Sequence, residues 1–240
     1  ASSTIFVGPA VGGAEVNQAV TFGSMSFEDN ITSTFNSRNG YGVTFTTAPV
    51  NGGNANSTIT NNMGGTLSFT GNFWSNTDNG ANRTMTIGGN GNTTINGNVV
   101  ASSVTFNHNL TKSGSGALTI TGTGSTLDGN VSVTGGSLVI TDFRSIGNNT
   151  SNISLGNATT TAGNLIIGTG TTPSLAGLIT SRPIILNVST ASNSIYANQN
   201  GANPVVLNGA ITKPVAGNAT LIFGGTNTTD NVVNVGIPAL

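Results

Sequence analysis

A chain of 240 residues with no cysteine, 35 glycines and a formal net charge of −1 excludes several classes of protein at once. Without thiols it holds neither a disulfide framework nor a thiolate metal site, and near-neutrality removes the electrostatic footprint of a nucleic-acid or anionic-membrane binder. Charged residues are only 5% of the chain, against about a quarter in ordinary globular proteins, so its wet surface must be made of Asn, Ser, Thr and Gly.

Apolar residues recur throughout as short alternating triplets. In chain order these are Val20-x-Phe22, Val43-x-Phe45, Leu67-x-Phe69, Met85-x-Ile87, Val104-x-Phe106, Leu118-x-Ile120, Leu138-x-Ile140, Ile153-x-Leu155, Leu165-x-Ile167, Ile184-x-Leu186, Val205-x-Leu207 and Leu221-x-Phe223. Period-two alternation bounded by glycine marks a short strand with one face buried and one wet. No segment sustains a 3.6-residue apolar period, so helices have no support. No run of eighteen apolar residues occurs either, which predicts no membrane-spanning helix.

Strands this short bury too little alone and need stacked neighbours. The spacing predicts an all-β chain forming a mostly parallel β-solenoid, or β-helix. Secondary triplets such as Met25-x-Phe27 and Val131-x-Val133 would form the second face of each coil. One coil per main triplet would give twelve coils and a rod of about 55 to 60 Å. The alternative is an antiparallel β-sandwich or jelly roll. Residues 1–60, richer in aromatics, are expected to cap or assemble one end, 61–170 to form the regular coils, and 171–240 to form a C-terminal β region. In that last region, continuous apolar runs such as Ile184-Ile185-Leu186 predict burial on both faces, under a second layer or against another subunit.

Glycine spacing singles out Leu110 to Leu138. Leu110, Lys112, Gly114, Gly116, Leu118, Ile120, Gly122, Gly135, Gly136 and Leu138 occupy places that resemble the passenger-associated repeat of bacterial autotransporters. The resemblance implies a secreted, right-handed parallel β-helix standing off a cell surface, and supplies no catalytic residue. That family also carries a C-terminal membrane barrel of long alternating strands. The end Asn231 to Leu240 shows no such strands, so a free-standing secreted solenoid is expected, and the start at Ala1-Ser2-Ser3 reads as a mature chain after signal-peptide removal.

Reactive groups are sparse. His108 is the lone histidine and reads as an exposed strand-end residue. Asp128 and Asp142 are spaced too closely to stack on successive coils, so no paired carboxylates, no catalytic residue and no enzymatic activity are expected. Glu28-Asp29-Asn30 could supply ligands to one ion, but aspartates do not repeat from turn to turn, so neither metal nor cofactor is expected. Thr-x-Thr pairs at Thr44, Thr84 and Thr119 make ice binding a formal candidate. They read as ordinary β-surface threonine, because the ranks do not persist from coil to coil.

These features predict an extracellular structural protein, a self-assembling unit of a surface fibre or filament. Ile5, Phe6 and Val7 at one end, and Val232, Val233, Val235 and Ile237 at the other, are candidates for end-to-end or strand-exchange contacts in a homopolymer. The alternative is a monomeric adhesin that binds a glycan or a surface through Trp74 and Tyr41. A polysaccharide-active β-helix enzyme is a more distant reading.

Overall fold

In the computed structural model the described residues are 2–10, 13–27, 30–47, 50–51, 56–73, 75–76, 81–101, 106–147, 150–157, 161–168, 175–187, 190–197, 203–214, 216–218, 220–227 and 230–234. They form an all-β solenoid in which strands stack in parallel from coil to coil.

The first sheet has nine strands: Ser2–Val7, Thr32–Ser37, Ser57–Asn61, Arg83–Gly88, His108–Lys112, Val131–Val133, Ile153–Leu155, Ile184–Leu186 and Ile211–Thr212. The second also has nine: Ala19–Phe22, Gly42–Phe45, Leu67–Phe69, Thr93–Ile95, Ala117–Ile120, Ser137–Ile140, Asn164–Ile167, Ser192–Ala197 and Thr220–Gly225. A third flank is more broken. It carries Ser26–Phe27, Val50–Asn51 and Ser75–Asn76 at one end, and Ile179–Thr180, Val206–Leu207 and Val232–Val233 at the other. Between them lie a single bridge, Phe73 to Val99, and two short 3-10 turns, Phe143–Ile146 and Leu175–Leu178.

Parallel pairing excludes the sandwich. It also corrects the coil count, because each coil contributes one strand to each of the two large sheets. Leu110 and Leu118, for instance, lie on different faces of the same coil. Nine strands at a spacing of about 4.8 Å make a stack about 38 Å long, not the longer rod expected from twelve. Corresponding residues are 20 apart at Leu118 and Leu138 but 31 apart at Ile153 and Ile184. The strands keep register while the connections vary, which is why the sequence period is loose.

The core is a set of inward columns. In the second sheet one column runs Phe22, Phe45, Phe69, Ile95, Ile120, Ile140, Ile167, Ala197, Gly225. Phe22 stacks on Phe45 at 5.6 Å and Phe45 on Phe69 at 5.5 Å, with Phe73 edge-on to Phe69 at 4.9 Å. The Leu110 to Leu138 stretch contributes the tightest coil. Gly114 (φ +70°) and Gly136 (φ +64°) turn the corner between the two large sheets, where an added Cβ would fall 2.3 Å from the Gly89 carbonyl oxygen and 2.5 Å from that of Gly116.

Residues 1–60 supply rungs to both large sheets, and on the first described rung Val20 is half-buried and Phe22 exposed. In 171–240 Val205 and Leu207 turn inward on the third flank, Ile185 stays half-buried on the outer face of the first sheet, and Ile222 on the last described rung of the second sheet remains exposed. The described residues there show no second covering layer.

Candidate functional site

The buried polar groups come first, because a reactive centre would have to be built from them. His108 is only 1% exposed, not an exposed strand end. Its strand begins at His108 itself, so counting back by two from buried Leu110 places it on the core side. His108 Nδ1 lies 3.2 Å from Asp128 Oδ1, and the same oxygen accepts the His108 backbone N–H at 2.8 Å. Arg83, its register partner one rung earlier, is also buried.

Arg182 reaches inward and donates to the carbonyls of Ile146 at 3.0 Å, Gly147 at 2.9 Å and Gly129 at 3.0 Å. Burial pushes its pKa down to about 10. Lys112 ends its strand on the core side, and its Nζ donates to the carbonyls of Ser113, Gly114 and Gly135. Burial lowers its pKa to about 8. Asp142 is fully buried and caps the turn Phe143–Ile146, with Oδ2 2.6 Å from Arg144 Nη2. Hydrogen bonding to Asp142 raises the Arg144 pKa despite some desolvation.

Asp128 and Asp142 therefore serve different partners, one a histidine and one an arginine. Lys112 and Arg182 span carbonyls from neighbouring turns and Arg144 answers a single carboxylate, so these groups work as internal fasteners. Among the described residues no group of three or more His, Asp or Glu could hold a metal. Glu28 and Asp29 lie outside the described residues.

The outer faces carry a pattern that sequence reading missed. In the first sheet one outward column runs Ser2, Thr32, Thr58, Thr86, Thr111, Ser132, Ser154 before Ile185 interrupts it. Hydroxyl ranks thus do persist from coil to coil, contrary to expectation. Variable coil lengths hide them in the sequence. Beside this column is an asparagine ladder, in which Asn109 Oδ1 accepts the Asn130 N–H at 2.8 Å and Asn130 Oδ1 accepts that of Asn152 at 2.9 Å. In the second sheet Thr21, Thr44, Ser68, Thr94 and Thr119 form a similar column that turns apolar at Val139, Ile166 and Tyr196.

Core-side residues are exposed on the first and last described rungs. Phe22 is 39% exposed on the first rung and Phe223 43% exposed on the last, whereas inner members of their columns such as Phe69, Leu118 and Leu165 are fully buried. Of the predicted assembly residues, Ile5 turns inward on the first strand and is half-buried, Phe6 turns outward under Arg38, and Val7 is buried. Val7 is therefore unavailable, because it is covered within the core. Val232 is exposed and Val233 half-buried on the last rung. Val235 and Ile237 lie outside the described residues. Sequence reading took Phe22 and Phe223 for core because period two gives a residue's face but not whether a further rung covers it.

Tyr41 is buried against the core, 8% exposed, which removes it as a surface contact. It directly precedes the strand Gly42–Phe45 and is held in by the corner. Trp74 lies outside the described residues. Comparison with protein-family models, with curated proteins and with solved structures finds no match.

Proposed function

We propose that this chain is an extracellular structural unit, a solenoid rod that assembles end to end into a surface fibre. The supporting observation is that both terminal rungs expose core columns and strand edges. Phe22 and Phe223 show their rings to solvent where every intermediate rung is covered above and below. An uncovered edge of backbone N–H and C=O groups templates further pairing, and a net charge of −1 sets no repulsion against it. The likeness of Leu110 to Leu138 to the autotransporter passenger repeat agrees with a rod presented outside the cell. Sedimentation and electron microscopy of the 240-residue chain across a concentration series test the reading. Concentration-dependent fibres or linear oligomers are expected, and a strictly monomeric rod at millimolar concentration would remove it.

The persistent hydroxyl column of the first sheet favours a second reading, an ordered-water or ice-binding face. Rungs about 4.8 Å apart space the hydroxyls of this column evenly along the stack. The side-chain hydroxyls of Thr58, Thr86 and Thr111 make no hydrogen bond among the described residues, whereas the Thr134 hydroxyl is held by the Lys112 carbonyl. Ice recrystallisation assays decide the matter: inhibition should vanish on Thr86→Lys, and its absence in the unmodified chain rejects this reading.

A further inference from the structure

The inner column led by Phe22 is made of Phe and Ile as far as Ile167 and then loses its bulk, ending on Ala197 and Gly225. Where those side chains shrink, the C-terminal end opens into a cavity of about 200 Å³ lined by apolar groups including Ile195, Leu207, Phe223 and Val232. At the opposite end the same column begins with an oversized, uncovered ring. Phe22 stacks one face on Phe45, and 39% of its surface remains exposed.

We propose that the occupant of this cavity is Phe22 of a second copy, seated as the next member of its own column. An apolar cavity of ~150 Å³ is enough to take a benzene ring, so the space lined by Ala197, Phe223 and Gly224 accepts a phenyl side chain. The neighbouring column matches in the opposite sense. It begins on Val20 and ends on Phe223, so a rung added in register sets a large residue over a small one in both columns. The strand edges correspond as well. The first rung carries Ser2–Val7, Ala19–Phe22 and Ser26–Phe27, and the last carries Ile211–Thr212, Thr220–Gly225 and Val232–Val233, one on each of the same three flanks. Such a head-to-tail contact does not close on itself and propagates as a filament. This contact rests on the end-to-end reading above and specifies its register: Gly225 against Phe22, Gly224 against Thr21, Phe223 against Val20.

The absence of cysteine makes the register directly testable. Adjacent parallel strands lie about 4.8 Å apart, within the ~4.4–6.8 Å Cα separation a disulfide spans. The double variant Thr21→Cys, Gly224→Cys should form a ladder of covalent multimers on oxidation, while each single variant stops at dimers. Phe22→Ala should raise the half-assembly concentration at least tenfold, and Phe22→Leu should restore part of it. Polymers without the double-cysteine ladder would overturn this contact and leave the rod reading standing. Monomers under all conditions would overturn both. Saturable binding of an apolar dye by a monomeric chain, lost in Ala197→Leu, would make the cavity a small-molecule site and overturn the second copy as its occupant.

Discussion

Lys112 is where burial and charge conflict most directly. Desolvation holds its pKa near 8, against 10.5 for the free side chain. Between those values the unfolded chain binds more protons than the folded one, so stability rises with pH across that window. The denaturation midpoint should therefore increase from pH 8 to pH 10 in the unmodified chain. Lys112→Met should flatten that rise, and an unchanged slope in the variant would show that other groups produce it. Three carbonyl contacts partly offset the burial of the charge, which explains why a lysine is placed where the strand meets the glycine corner. Asp128 is the complementary case, since one oxygen serves both the ring and the backbone N–H of His108. Asp128→Ala leaves buried donors without that acceptor and should lower stability by about 1–3 kcal/mol, read by chemical denaturation.

Single strands here matter as members of a column. Phe69 lies between the ring of Phe45 and the edge of Phe73 and is fully buried. Phe69→Ala should cost about 3–5 kcal/mol, whereas the same change at exposed Phe22 should leave monomer stability nearly intact and act on assembly. The glycine corner is the second constraint at this scale. Gly114 holds a left-handed conformation directly against the Gly89 carbonyl. Gly114→Ala combines backbone strain of about 1–3 kcal/mol with that clash, and thermal unfolding should show the loss. Even so, the glycine spacing of Leu110 to Leu138 was readable in the sequence because the turns there are tight and equal. The corner at Ile153 to Ile184 was not, since 31 residues separate its partners.

Over the whole molecule, the near absence of charge sets how assembly responds to solution conditions. With six basic and seven acidic residues and apolar columns exposed at the ends, association should be nearly independent of ionic strength between low and physiological salt. Strong dissociation at moderate salt would indicate an ionic contact instead. Cooling should weaken the association, because the hydrophobic contribution falls at low temperature.

Composition and period two determined the class of this protein by themselves: all-β, built of short strands that need neighbours, without thiol chemistry and with neutral polar faces, while parallel stacking against an antiparallel sandwich was settled by the structure. They did so because alternation in short strands is a local property that glycine turns leave visible. Only the tertiary structure decided which strands share a coil, that His108 and Lys112 face inward, that serine and threonine hydroxyls line up over seven rungs, and that Phe22 and Phe223 are exposed on the first and last described rungs of their columns. Register between coils depends on connections of unequal length. Burial of a column's last member depends on whether another rung follows, and neither is encoded in the alternation of any one strand.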